Sequence, residues 1–238
     1  MLFNKVSTIL AITLFGSIFH KSIVMASTIN QNTILSSNHQ YSFSIAEVNN
    51  SDDFRELEQK ILLEMNQVRT EPLTYIPLLE DYRSRFEGNR VFISENTYLL
   101  TQEGVSAVDE AIDFLNTNSS VSALTLSNGM SLGAKDHVQD IGTLNAIGHY
   151  GSDGSSPCDR ISRYGEPHEA CAENISFGAD NAQSVIMDLI IDDGVSSRGH
   201  RKNLFNPRYK VTGIACGNHG YYGVMCTINY AVEYTEQN

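Results

Sequence analysis

Hydrophobic residues recur every three to four positions in four stretches of the chain, which predicts four amphipathic helices. The first runs from about Asp52 to Arg69, and the second is centred on residues 105–115. The third begins near Ser127, a suitable N-cap residue, and the fourth follows Asn181. The fourth is the most regular, with apolar residues at offsets 0, 3, 4, 7 and 8: Ala182, Val185, Ile186, Leu189 and Ile190.

The pattern changes to strict alternation near the C-terminus, which predicts strands. Residues 222–232 alternate large apolar with small or polar side chains, and residues 211–216 form a plausible partner strand. The Gly-rich connection GNHGY favours an antiparallel hairpin, and a shorter strand is expected at 172–177. No βα unit or longer segment is repeated. The fold class is therefore mixed α and β (α+β), with a small, mainly antiparallel sheet.

The N-terminus predicts a secretory signal peptide over residues 1–26. A basic start is followed by an apolar run of 14 residues, and small residues, Val24 and Ala26, precede the expected cleavage point. The alternative is an N-terminal membrane anchor, for which the run is short because a span needs about 20 residues. Residues 27–53 are rich in Ser, Asn, Gln and Thr, so we expect a flexible segment. Residues 54–238 then form the folded domain.

The charge of the chain limits which partners and which cellular location are expected for this domain. The 238 residues have a formal charge of −12, and residues 27–238 carry 14 bases and 28 acids, or −14. This balance argues against a nucleic-acid partner, which requires a clustered cationic surface. No further stretch is apolar enough to be a transmembrane span. We expect a secreted, extracellular protein.

Four cysteines follow the signal peptide, and in an oxidising compartment an even number favours two disulfides over metal ligation. Three pairings are possible. The two pairings that are local in sequence are favoured, Cys158 with Cys171 and Cys216 with Cys226, because the hairpin can place the latter two opposite each other.

The Walker A, dinucleotide-binding, zincin and α/β-hydrolase motifs are all absent. The remaining candidate functional residues are far apart in the sequence. Two histidines and three acids lie in or beside Gly-rich or irregular segments, where side chains tend to face a cleft: His149, Glu173, Asp192, Asp193 and His200. Three other residues have plainer interpretations. Ser152 lies in a turn and is a weak candidate nucleophile, His137 is expected in the core, and His219 is expected to be solvated.

Several of these motifs together resemble a known family. GHYGSDG, DRISRYG, AENISFG and SRGHRKNLFNP occur in the order found in the CAP superfamily of cysteine-rich secretory, antigen 5 and pathogenesis-related 1 proteins, also called SCP domains. The first helix is similar too, with Asn66, Arg69 and Pro72. The chain contains no Trp, and Leu189 stands where Trp is common in the family. In this respect the chain resembles a microbial or protist branch more than the plant or venom members.

The resemblance implies a three-layer α-β-α sandwich with a cleft lined by two histidines and two acids. Matched by motif, these are His149, Glu173, His200 and, by spacing from Leu189, Asp192. Helical periodicity instead favours Asp193 as the fourth member, unless the helix unwinds before Gly194, so this position stays open.

Two functions from different classes follow. The favoured one is an extracellular binding module for a lipid or sterol, a peptide or a receptor, whose cleft could hold a divalent cation such as Zn²⁺ through His149 and His200. The alternative is a metal-dependent hydrolase or peptidase in which Glu173 is the base or orients a histidine. A purely structural role for the cluster is the third possibility.

Overall fold

The computed structural model describes residues 24–26, 51–94 and 97–237. Most of the predicted signal peptide and residues 27–50 of the predicted flexible segment lie outside this range. Four main helices lie where periodicity predicts them: α1 (Ser51–Thr70), α3 (Val105–Thr117), α4 (Asn128–Leu144) and α6 (Ala182–Ile191). Ser127 and Asn181 cap α4 and α6 by accepting backbone N–H bonds, as expected for these residue types.

Shorter helices fill the turns between these elements. They are α2 (Ile76–Ser84), α5 (Pro157–Ile161) and α7 (Gly199–Leu204), with a 3₁₀ turn over Pro72–Tyr75. Proline stands in the first turn of α2, of α5 and of the 3₁₀ segment, where no intrahelical N–H bond is lost. Within the described residues, no helix combines the length and apolar character needed to span a membrane.

The main sheet has four strands in the order β5 (Thr125–Leu126), β7 (Val211–His219), β8 (Gly223–Glu236) and β6 (Gly165–Phe177). Strands β7 and β8 form the predicted antiparallel hairpin, β6 pairs antiparallel with β8, and β5 is parallel to β7. The predicted strand at 172–177 is thus only the last part of β6. A mainly antiparallel sheet is confirmed.

A second sheet, which the sequence pattern did not predict, is formed mainly by the segment that follows α2. Its strands are antiparallel in the order β1 (Val24–Ala26), β4 (Thr97–Leu100), β3 (Arg90–Ser94) and β2 (Phe86–Glu87). The strands are two to five residues long.

Helices cover both faces of the main sheet. On one face, Ile214 and Ile228 join the large apolar core that also contains α1, α2, α3 and α6. On the other face, Ala215 and Met225 pack against α4. Strand alternation therefore divides the core in two, and the three-layer α-β-α sandwich is confirmed. Gly213 allows this close packing, because a Cβ there would overlap the backbone of Met130 at the start of α4.

Two polar residues of α1 tie this helix to distant backbone. The Arg69 side chain is fully buried and donates to the carbonyl oxygens of Ser122, Leu204 and Tyr209 at 2.9, 2.5 and 3.3 Å. Asn66 both donates to and accepts from the backbone of Leu124. These bonds explain physically why the first-helix motif needs an amide and a guanidinium.

Both sequence-local disulfides are present. Cys158 and Cys171 are joined with their Cα atoms 6.0 Å apart, and Cys216 and Cys226 with theirs 4.1 Å apart. The second pair stands directly opposite in the β7–β8 register, as the hairpin predicts.

Candidate functional site

Glu173 and His149 form the first half of the site. Glu173 projects from edge strand β6 toward α4 and α5, and its side chain is almost fully buried. Its Oε1 lies 2.9 Å from His149 Nδ1, and its Oε2 accepts a 2.6 Å bond from Arg160 Nη2. Because a carboxylate only accepts, His149 donates through Nδ1, and both Glu173 oxygens have a partner.

The loop that carries His149 is held by two further groups. Arg160 Nη1 donates to the carbonyl oxygens of His149 and Ser155 at 3.0 and 2.9 Å. His137 Nε2 lies 2.9 Å from the carbonyl oxygen of Gly148, which has a positive φ of 119°. The position of His149 therefore depends on α4 and α5 as well as on Glu173.

His200 and Asp192 form the second half. Asp192 Oδ1 lies 2.7 Å from His200 Nδ1, and its Oδ2 accepts the backbone N–H of His200 at 2.9 Å. Asp192 follows the last residue of α6 and has a left-handed backbone, with φ 57°. The helix thus ends one residue before Asp192, which turns this carboxylate toward α7.

This geometry decides between the two candidate acids. Asp192 completes the cluster, whereas Asp193 turns away and accepts the backbone N–H groups of Gln102 and Glu103, both at 2.8 Å. The structure thus brings together with His200 the acid that motif spacing favours, and the helical extrapolation to Asp193 does not apply because α6 ends at Ile191.

The two halves meet at the edge of the main sheet. The ring centres of His149 and His200 are 6.5 Å apart. Asn174, next to Glu173 but on the opposite face of β6, is buried and donates to the carbonyl oxygen of His200 at 3.0 Å. Asn203 in turn donates to Asn174 Oδ1 at 2.9 Å. The AEN and GHRKN motifs are therefore physically coupled, and they fix α7 against β6.

His137 lies beside this cluster, and sequence reasoning placed it only in the core. It is fully buried as predicted, but its Nε2 is also 3.9 Å from Glu173 Oε1. Burial lowers the pKa of His137, an effect that the Glu173 carboxylate opposes only in part. Its Nδ1 has no hydrogen-bond partner in the structure. The i, i+7 pattern of α4 identified the buried position but could not reveal its neighbour on β6.

Ser152 and His219 make contacts outside this cluster. Ser152 is a turn residue, as favoured, and its Oγ donates to Asp140 Oδ1 at 2.6 Å. His219 is buried, not solvated, so that prediction is wrong. Its ring packs against Phe177 and Tyr222 because β7 continues to the hairpin tip, and Nε2 lies 3.1 Å from the carbonyl oxygen of Ala146.

A cavity of about 630 Å³ opens from the two histidines. It extends between α6 and the second sheet toward α2 and the tip of the β7–β8 hairpin. Its wall is rich in apolar and aromatic side chains, including Tyr82, Leu99, Phe177, Met187 and Tyr221. A cavity of this size and character is typical of a site for a small apolar ligand.

The cluster can be tested for its fit to a metal ion. No group of three or more His, Cys, Asp or Glu side chains in the described part of the chain is arranged to hold one. His149 and His200 each direct Nδ1 to a carboxylate, the orientation found for ligating histidines whose other nitrogen binds the ion. The described cluster thus shares the imidazole–carboxylate orientation of metal sites without a group of three ligands.

Sequence comparison agrees with the motifs. The sequence model of the family described as CAP, the cysteine-rich secretory protein family, matches residues 63–232. The chain belongs to this family. The resemblance carried by the separate motifs is thus confirmed.

Individual CAP relatives are distant. The chain is 25% identical over 123 residues to "Uncharacterized protein YkwD" of Bacillus subtilis (strain 168), covering 50% of this chain and 46% of that protein. It therefore spans less than half of that relative's length. Two solved structures share 18% identity and cover 53% of this chain: an extracellular protein containing a SCP domain from Bacillus anthracis str. Ames (37% of that chain, TM-score 0.37) and an outer surface protein from Borrelia burgdorferi (86% of that chain, TM-score 0.40).

Proposed function

We propose that this CAP protein is a secreted binding module that takes up an apolar ligand, such as a lipid, in the cavity beside His149 and His200. The observation that carries the proposal is the cavity of about 630 Å³, lined by aromatic and aliphatic side chains. The two imidazoles on its wall would hold a divalent cation such as Zn²⁺ through Nε2.

The hydrogen bonds of the acids favour binding over hydrolysis. Both oxygens of Glu173 and both oxygens of Asp192 already accept hydrogen bonds. A general base must reach a water or substrate proton, and either acid would have to give up a buried bond to do so. A catalytic zinc site usually has three protein ligands, whereas this cluster offers two imidazoles.

Ligand uptake is tested with the neutral fluorescent probe N-phenyl-1-naphthylamine. We expect saturable binding that Leu99→Ser weakens, because Leu99 lines the cavity. Leu100→Ser is the matched control, since Leu100 is the next residue of the same strand and is not among the lining residues. Equal binding by both variants, or no saturable binding, would contradict uptake in this cavity.

Ion binding is tested by titrating chelator-treated protein with Zn²⁺ in a calorimeter. We expect one ion per chain, lost in His149→Gln and in His200→Gln, and about tenfold weaker binding in Glu173→Gln, which loses the orienting charge. His168→Gln is the control, because His168 lies on β6 outside the cluster and pairs with Thr235. Peptide hydrolysis that chelation abolishes and Zn²⁺ restores would instead support the metal-dependent hydrolase.

A further inference from the structure

Negative charges predominate among the residues that line the cavity. Five aspartates lie among its lining residues: Asp81, Asp180, Asp188, Asp192 and Asp193. Arg85 is the only Lys or Arg among those lining residues, and it is ion-paired with Asp81. Formal charges on the wall therefore sum to −4 when the histidines are neutral and hold no cation.

The carboxylates act on the interior of the cavity, as Tyr82 shows. This ring lines the cavity beside the apolar wall. Burial raises the pKa of the Tyr82 hydroxyl, and the negative charges of Asp188 and Asp193 raise it further, against a smaller opposing effect of Arg85. A field that disfavours a phenolate disfavours a bound carboxylate or phosphate in the same place and favours a cation.

Apolar walls favour an alkyl chain, and a negatively charged rim favours a positively charged head group. We infer that the natural ligand class of this cavity is a single-chain amphiphile with a cationic head, such as a long-chain amine. The alkyl chain would lie against Leu99, Phe177 and Met187, and the ammonium group would lie near Asp188 and Asp193. This inference rests on the proposed function, because it names the ligand class of the same cavity.

The Lys and Arg content of the chain's own N-terminal segment does not supply such a group. Residues 27–53 contain no Lys or Arg and three acids, Glu47, Asp52 and Asp53. The formal charge of −14 over residues 27–238 also opposes an anionic lipid at long range. Charge complementarity thus points to a ligand that is separate from the chain and positive.

The test compares three probes with the same ten-carbon chain, each used below its aggregation concentration and with chelator present. Decyltrimethylammonium, decanol and decanoate are titrated against bound N-phenyl-1-naphthylamine. We expect displacement in the order ammonium, then alcohol, then carboxylate. Added salt should weaken the ammonium most, because screening acts on the charge and not on the chain.

Two charge-matched variants locate the effect. Asp188→Asn should weaken decyltrimethylammonium binding by about threefold to tenfold and leave decanol unchanged, as expected for loss of one partly screened charge. Asp113→Asn removes the same charge on the exposed side of α3 and should change neither affinity.

The outcomes separate the two claims. If decanoate displaces the probe as well as the ammonium does, the charge inference is overturned while apolar uptake stands. If a neutral-capped Leu-Lys-Leu peptide displaces the probe and the ammonium does not, a peptide ligand replaces the amphiphile. If the probe itself does not bind, the proposed function fails and the inference with it.

Discussion

Arg160 is a buried cation whose partner is the equally buried Glu173. Their side chains are 2% and 1% exposed, and the N–O distance is 2.6 Å. We predict that Arg160→Met lowers the free energy of unfolding by about 3–5 kcal/mol, because it leaves a carboxylate buried without its charge partner. Urea unfolding at pH 7 measures the change.

A second substitution isolates the ion pair from packing. Adding Glu173→Gln to Arg160→Met removes the orphaned charge, so the double variant should be more stable than the single one. A double variant as unstable as the sum of the two single variants would show that the pair is not coupled.

His137 should make the free energy of unfolding depend on pH, in a direction that follows from its lowered pKa. Its pKa in the folded protein is lowered below the ordinary 6.5, so the unfolded chain binds a proton at a higher pH than the folded one. As pH falls below about 6.5, the contribution of His137 to stability should therefore decrease until the folded pKa is reached. The groups facing the ring are Glu173, Arg160 and His149.

His137→Gln tests this effect, because the amide can still donate to Gly148 but does not titrate. We expect urea unfolding between pH 7 and pH 5 to show a shallower loss of stability in the variant than in the parent. Parallel curves for the two proteins would contradict the role of His137.

Single residues also show where sequence reasoning reached its limit. Motif spacing identified His149, Glu173, Asp192 and His200, and the structure brings all four to one cleft. Periodicity favoured Asp193 and not Asp192, since it cannot foresee a left-handed residue directly after a helix. The positioning role of Arg160 was also missed, because its partner lies across a turn and a disulfide.

Among the elements, the segment closed by Cys158–Cys171 links α5 to β6 and contains Arg160. This disulfide is half-buried, whereas Cys216 and Cys226 are buried in the core. We predict that a mild reductant opens Cys158–Cys171 first, which alkylation and peptide mapping can measure. Opening a disulfide that closes a loop of this length lowers the free energy of unfolding by about 3 kcal/mol.

Opening this segment should also loosen the cleft, because Arg160 then holds Glu173 and the His149 loop less firmly. A variant with Cys158→Ser and Cys171→Ser should bind Zn²⁺ more weakly. The variant with Cys216→Ser and Cys226→Ser is the control, since that disulfide lies outside the histidine cluster. Unchanged Zn²⁺ affinity in the first variant would show that the Cys158–Cys171 disulfide is not needed to hold the cleft together.

Elements differ in how far their sequences predict them. Helices α1, α3, α4 and α6 each bury one regular apolar stripe, so their periodicity was sufficient. The first half of β6 was missed because its residues, GEPHEA, are polar and include Pro167, which an edge strand tolerates. Strands β2–β4 were missed because they are two to five residues long, too short for a clear alternation.

For the whole molecule, the site depends on all three layers. Glu173 stands on the sheet, Arg160 and His137 come from the layer of α4 and α5, and Asp192 and His200 come from the layer of α6 and α7. No contiguous segment contains this arrangement. Sequence could predict it only through a family resemblance, because the distances between layers are set by packing.

Secretion is a prediction at the scale of the whole molecule. Cleavage after Ala26 would leave a mature protein beginning at Ser27 and would remove strand β1, which pairs with β4. The hydrophobic core is built largely by the helices and the main sheet, so the mature protein should keep its fold. Mass spectrometry of protein from the culture medium should give the mass of residues 27–238.

A substitution at the cleavage site provides the control. Ala26→Gln places a large residue where signal peptidase requires a small one, so processing should slow and the uncut chain should accumulate with membranes. If the unsubstituted chain stays uncut and sediments with membranes, the N-terminal segment is an anchor. The cleft would then work at a membrane surface, where an amphiphile is supplied from the bilayer and not from solution.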